Sequence, residues 1–192
     1  MEPNVTTGLI SPSMANTASE LDDFDNVVHM YWRRVHRFLL TSVREPDLAE
    51  NLTQDCFLKA YRGRSRFRGE SSVQAWLMRI AVNLLRDAAR NRRLQFWRRV
   101  RTSAIDEQAI SNWIPDRDLS PEAKALVREQ IEAVWRATES LSERQRTVFL
   151  LRFVEDMDLL EIAAATGLKE GAVKVHLFRA LHAIRNRIGQ QK

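Results

Sequence analysis

From Ser19 onward, apolar residues recur every three or four positions in stretches separated by short polar breaks, which is the period of amphipathic helices. Most of these stretches open on a capping residue followed three positions later by an acid or amide able to cap in return. The pairs are Ser19 with Asp22, Asp47 with Glu50, Ser71 with Gln74, Ser142 with Gln145, and Asp158 with Glu161. Ser120-Pro121 adds a sixth start, with proline at the first helical position. The pattern predicts an all-α chain of two small helical domains. Helices over about 20–43, 48–62 and 72–94 form the N-terminal domain (19–94), and those from 121 onward form the C-terminal one (121–192). Residues 1–18, rich in Thr, Ser, Asn and Pro without an apolar period, predict a disordered leader. Residues 95–120 hold Trp97, Trp113 and Pro115 but no sustained stripe, and predict a flexible linker.

Two segments carry more than packing information. In the third helix Val73, Leu77, Ile80, Leu84 and Ala88 form a face to be buried, with Trp76 at its edge as a core residue. Arg79, Asn83, Arg86, Arg90 and Arg93 form a second stripe centred roughly 150° away. A solvated helix face normally interleaves acids with its bases, and this one offers only Asp87, so the stripe suits a nucleic-acid backbone, with Asn83 able to read a base edge. Near the C-terminus, residues 158–181 read as a helix-turn-helix, with a short helix, a break at Gly167, a buried Leu168 and a second helix. Ala163 is small where the helices cross, and Gly167 can take the left-handed turn. In the second helix Val173, Leu177, Ala180, Leu181, Ile184 and Ile188 face the core. Lys174, Val175, Phe178 and Arg179 face away near the N-terminal half, where a recognition helix meets the major groove. Lys169, at the helix start, is placed for a phosphate, while His176 and His182 are expected at the surface.

Charge sharpens this reading. The formal net charge of +5 is unevenly spread: residues 58–101 hold 13 basic and 2 acidic residues, 144–192 hold 9 and 5, and the two remaining segments are acidic. All but one of those 13 are arginine, the side chain suited to bidentate phosphate contact. A solvated surface or an anionic-membrane patch would share the net charge, but the opposed stripes favour nucleic acid. The lone Cys56 excludes an internal disulfide, and one Cys with four scattered His gives no metal-ligand spacing. No cofactor motif, signal segment or membrane-length apolar run is present, so a cytoplasmic protein without membrane insertion or a small-molecule substrate is expected.

These residues resemble the extracytoplasmic-function (ECF) group of bacterial RNA polymerase sigma factors. Leu48-Ala-Glu-Asn-Leu-Thr-Gln-Asp-Cys-Phe-Leu-Lys-Ala-Tyr61 is similar to the family's core-polymerase-binding segment, and Phe67 through Asn83 to its −10-reading helix and preceding loop. Leu141-Ser-Glu-Arg-Gln-Arg-Thr-Val-Phe-Leu through Arg179-Ala is similar to its −35-reading domain. The resemblance covers about residues 20–190 and implies a non-enzymatic subunit that directs promoter-specific initiation. It implies that Asp47, Glu50, Gln54 and Asp55 grip the polymerase clamp, and that Cys56 and Phe57 pack beneath them. Asn83 would receive a base flipped from the non-template strand, with Arg79, Arg86, Arg90 and Arg93 beside it on the −10 element. Lys169, Lys174, Val175, Phe178 and Arg179 would meet the −35 element. Implied partners are core polymerase through its clamp and flap, promoter DNA and an anti-sigma factor. Val175 and Leu181 depart from the family's usual small polar and basic residues.

Two other classes compete. A helix-turn-helix regulator that is not a polymerase subunit would show strands and an acidic pocket near its N-terminus. An enzyme would need convergent carboxylates or a His pair, whereas the acids here are expected in caps, on solvent faces and in the linker.

Overall fold

The computed structural model describes residues 21–90 and 120–190. The leader 1–18, Arg93 and the linker up to Leu119 lie outside the described residues. Within them, seven α-helices and one 3-10 turn account for the regular structure, with no strand. The helices are α1 (Phe24–Val43), α2 (Pro46–Gly63), α3 (Val73–Arg90), α4 (Pro121–Thr138), α5 (Glu143–Phe153), α6 (Leu159–Thr166) and α7 (Glu170–Gly189).

Three of the six helix starts are capped as the sequence predicts. Ser120 Oγ accepts from Ala123 N at α4, and both halves of the capping box form at Ser142–Gln145 and Asp158–Glu161. The other three are corrected. Helix α1 starts at Phe24 on a cap by Asp23, whose Oδ1 accepts from Asn26 N at 3.1 Å. Helix α2 starts at Pro46 and has no side-chain cap, since the chain enters the helix on Glu45, a residue type that rarely caps, and not on the expected Asp47. At α3 it is Ser72 that accepts from Ala75 N, at 3.2 Å. Gln74 turns away instead and donates to the Glu155 carbonyl at 3.0 Å.

Helices α1 to α3 enclose Val35, Phe38, Leu39, Ala49, Cys56, Leu77 and Ala81, all with no exposed surface. Trp32 stacks on Phe57 at 5.3 Å between centroids, and Phe24 meets Tyr61 edge-on at the same distance. Helices α4 to α7 enclose Trp135, Val148, Leu151, Met157, Ile162 and Val173. Each such side chain contributes about 1.5–3 kcal/mol of burial, so either unit has a core of its own. The Cys56 thiol is pushed up to about 12 by burial and donates to the Leu77 carbonyl at 3.5 Å, as a packing residue should.

The two units also pack on each other, α3 against α6 and α1 against α5. Helix α3 is therefore buried on two sides: beyond the expected Val73, Leu77 and Leu84, its Ala75, Met78 and Val82 are enclosed, while Ile80 and Ala88 are only half-buried. The seam between the units joins their apolar cores and carries polar pairs beside them. Arg37 Nε and Nη2 donate to the two carboxylate oxygens of Glu155, each at 2.9 Å, and Nη2 also donates to the Val154 carbonyl at 3.1 Å. Ser72 donates to Glu161 at 2.7 Å, Arg86 to the Thr166 carbonyl at 2.9 Å, and Arg44 pairs with Glu139. The expectation that acids sit only in caps, on solvent faces and in the linker is corrected at Glu155, whose side chain is fully enclosed. Burial pushes its carboxyl above the usual range, and the Arg37 guanidinium opposes that shift without cancelling it.

Candidate nucleic-acid interface

Helix α3 presents the arginine stripe on the side away from α1 and α2. Arg79, Asn83 and Arg90 are exposed and Arg86 is half-buried. Arg86 binds in two directions: Nη1 donates to Asn83 Oδ1 at 3.5 Å, and Nη2 donates to the Thr166 carbonyl, among the last carbonyls of α6. A guanidinium at a helix C-terminus satisfies an orphan carbonyl and complements the negative end of the helix dipole. Arg90 has only a loose contact, 4.0 Å, with the exposed Asp87, and such a pair is worth little in water. Trp76 is half-buried and rests against Phe67, its ring centroid 5.0 Å away, so it packs as predicted.

The second candidate surface is the helix-turn-helix of α6 and α7. Gly167 ends α6 at φ 71°, the left-handed conformation that the turn requires, and its N–H reaches the Ala163 carbonyl at 2.9 Å. Leu168 is half-buried after it, and Lys169 stands exposed at the N-cap of α7. Val173, Ala180 and Ile184 are buried, with Leu177, Leu181 and Ile188 packed beside them. Opposite lie Lys174, which pairs with Glu170 at 2.6 Å, and the exposed Arg179. Val175 is 47% exposed and Phe178 71%. Two apolar side chains held in water beside two cations form a mixed surface fitted to base edges and thymine methyls. His182 is exposed as expected, stacked on Phe178 at 6.4 Å. His176 is corrected: it is half-buried, and its Nδ1 is shielded with no hydrogen-bond partner among the described residues. It lies only about 40° around the helix from Ala180, near enough to the core for its ring to be covered.

A third surface runs along α2. Asp47, Gln54 and Asp55 are exposed and Glu50 is half-buried. Gln54 donates to Glu50 at 3.2 Å, and His36 lies 3.5 Å from the other Glu50 oxygen. Sequence reading missed that the same stripe continues through Leu58 and Tyr61, which are 52% and 49% exposed. Arg64 covers the Tyr61 ring at 3.8 Å. The spacing from Gln54 to Leu58 and Tyr61 was the available signal. The first two candidate surfaces adjoin where α6 packs on α3, at Arg86. Among the described residues, no three His, Cys, Asp or Glu side chains converge to hold a metal, and no helix is long and apolar enough to cross a membrane.

Comparison with known proteins matches residues 27–95 to sigma-70 region 2 and residues 131–184 to sigma-70 region 4. The chain is similar to the RNA polymerase sigma-H factor of Pseudomonas aeruginosa, 31% identical over 165 residues that cover 84% of this chain and 83% of that protein. It is 33% identical to the ECF RNA polymerase sigma-E factor of Escherichia coli over 169 residues, 86% of each. Among solved structures, the fold is shared with the sigma factor RpoE in complex with the anti-sigma factor NepR from Bartonella quintana. That match has a TM-score of 0.66 and 21% identity, covering 89% of this chain and 99% of the other. CnrH in complex with the cytosolic domain of CnrY matches with a TM-score of 0.64 and 20% identity, over 93% and 96%. With two sigma-70 regions in order and more than 30% identity across most of its length, the chain belongs to the ECF group of RNA polymerase sigma factors.

Proposed function

We propose that this chain is a promoter-recognition subunit of RNA polymerase that binds the core enzyme and directs initiation by reading two promoter elements and assisting DNA melting. One observation carries the reading: an arginine and asparagine face on α3 and a helix-turn-helix with Lys174, Val175, Phe178 and Arg179 outward occur on one chain, each inside its own sigma-70 region. Residues 19–94 serve the −10 element and 121–192 the −35 element, with 95–120 as connector. Arg79, Arg86, Arg90 and Arg93 hold phosphates around Asn83, which takes a base. Asp47, Glu50, Gln54 and Asp55 grip the clamp, with Leu58 and Tyr61 as an apolar extension, and the C-terminal unit meets the flap. The polymerase supplies the chemistry and this chain the address, in the cytoplasm. An anti-sigma factor, the partner named in a related complex, is the expected antagonist. A regulator outside the polymerase is not favoured, because region 2 covers the half where its sensing domain would sit.

Promoter retention by the full chain with and without core polymerase tests this reading. The chain alone is expected to bind weakly and without sequence preference, since two modules on a connector need their spacing fixed by a third body; tight, promoter-specific retention by the chain alone would overturn it. Within the complex, Arg90→Ala should weaken all promoters alike and flatten the salt slope by roughly one unit. Asn83→Ala should change the preference at one base with little effect on salt dependence. Identical behaviour of the two variants on single-base promoter series would remove Asn83 as a reader.

A further inference from the structure

We propose that the outward surface of α7 has a second tier, made of His182, Arg185 and Asn186, that holds a backbone phosphate at the edge of the major groove on the upstream element. The ligand is a phosphate of duplex DNA, the donors are the His182 Nε2–H and the Arg185 guanidinium, and Asn186 orients the imidazole. This role rests on the reading of α7 as the helix that enters the groove, and it extends that helix's contacts beyond Arg179.

Register places the three residues. A residue seven positions farther along a helix lies only ~20° away around the axis and about 10 Å farther along it. Val175, Phe178 and Arg179 are followed at that interval by His182, Arg185 and Asn186, and all three followers are exposed. The outward face of α7 therefore continues for two more turns in the same direction. The major groove is about 12 Å wide. With Val175, Phe178 and Arg179 over base edges, the next three side chains arrive at the sugar-phosphate wall.

The chemistry changes between the tiers as that placement requires. Val175 and Phe178 offer apolar surface to methyl groups, whereas His182, Arg185 and Asn186 all carry N–H donors, which phosphate oxygens accept. Glu170, already paired with Lys174, is the only acid on α7, and no acid stands among residues 171–192, so no carboxylate of this helix competes for the second tier. The negative end of the helix dipole favours cations and accounts for Arg187 in the last turn, but His182 lies two turns before Gly189 and beyond that influence. The ring itself is held by two neighbours. It stacks on Phe178 with centroids 6.4 Å apart and an interplanar angle of 28°, and its Nδ1 lies 3.2 Å from Asn186 Nδ2. An amide nitrogen only donates, so Nδ1 accepts and the ring hydrogen sits on Nε2, on the edge turned away from Asn186. An exposed imidazole already held in one orientation and one tautomer loses less freedom on taking a phosphate than an unrestrained side chain does.

The test uses the full chain bound to core polymerase and a promoter duplex selected with that complex from randomised DNA, with retention measured across a salt series. His182→Gln keeps an N–H donor and loses the stack on Phe178, whereas His182→Phe keeps the stack and loses the donor. His182→Phe and Arg185→Ala are expected to weaken retention by about three- to ten-fold on all single-base promoter variants alike, the worth of one hydrogen bond, while His182→Gln stays within about two-fold of the parent. Arg185→Ala should also flatten the salt slope by roughly one unit. Uncharged methylphosphonates, placed one at a time around the upstream element, should reveal one phosphate whose loss weakens the parent but weakens the His182→Phe complex no further. Both positions are exposed, so melts followed by circular dichroism should show unchanged midpoints. A ring that only holds Phe178 in place would give the opposite order, with His182→Phe retained and His182→Gln weakened, and would overturn the phosphate contact. Losses that appear equally when the chain binds core polymerase without DNA would overturn it too, as would losses that no single methylphosphonate absorbs. Parent-like retention of His182→Phe and Arg185→Ala, with Lys174→Ala and Arg179→Ala weakened, would end the DNA surface at Arg179 and leave the recognition helix standing. Parent-like retention of all four would overturn the recognition helix, and the second tier with it.

Discussion

Leu77→Ala should destabilise the chain by about 2–5 kcal/mol, the usual cost of removing a fully buried leucine whose surroundings collapse only partly into the gap. Leu77 has no exposed surface, and its carbonyl accepts from the equally buried Cys56. It lies on the α3 face turned toward α1 and α2, so the cavity would open at the centre of the three-helix core. For a protein with an ordinary stability of 5–15 kcal/mol that is a large fraction, and the thermal midpoint should fall by roughly 10 °C. Arg79→Ala, two residues on and exposed, should leave the midpoint almost unmoved. Melts followed by circular dichroism check the contrast. Equal midpoints for both variants would contradict the assignment of one α3 face to the core and the other to a ligand.

The second large effect belongs to the recognition helix. Lys174→Ala should cost about 1–3 kcal/mol on the upstream element where the lysine meets a guanine edge. Its ion pair with Glu170 does not complicate the reading: both side chains are largely exposed, and an i,i+4 pair of that kind contributes only about 0.3–0.5 kcal/mol to stability. Nearly all the loss should therefore appear in promoter complexes and not in folding. Lys174 and Arg179 lie five residues apart, about 140° around the axis, so they flank a surface whose middle is Val175 and Phe178. Val175→Ser should change the base tolerated at a thymine position, since a hydroxyl replaces the contact with a methyl group. Transcription from promoters randomised across the upstream element measures both; unchanged base preferences in both variants would mean that this helix docks on protein.

Local chemistry was legible in the sequence, and chemistry between distant elements was not. The capping boxes at Ser142 and Asp158, the left-handed Gly167 and the apolar stripe of α7 depend on residues three to eight apart, and each stands where the pattern put it. Adjacent Ser71 and Ser72 both fit a cap. Ser72 takes the role because Gln74, the partner Ser71 needed, is occupied by Arg34 and the Glu155 carbonyl. That competition spans 40 residues on one side and 81 on the other, beyond any helical period. The second buried side of α3 and the enclosed Glu155 share this origin, since both are created by α5 and α6 and their connecting loop arriving from the other unit. At the candidate sites, the stripe of Arg79, Asn83 and Arg90 was readable from spacing. The diversion of Arg86 to Thr166 was not.

The central claim is that this chain gives core polymerase its promoter address. Mapping RNA 5′ ends made by core polymerase from a library of randomised DNA, with and without the chain, tests it most directly. The account predicts start sites that depend on the chain and follow two short conserved blocks, and that disappear when five base pairs, half a helical turn, are inserted between the blocks. Start sites indistinguishable from those of core polymerase alone would contradict it.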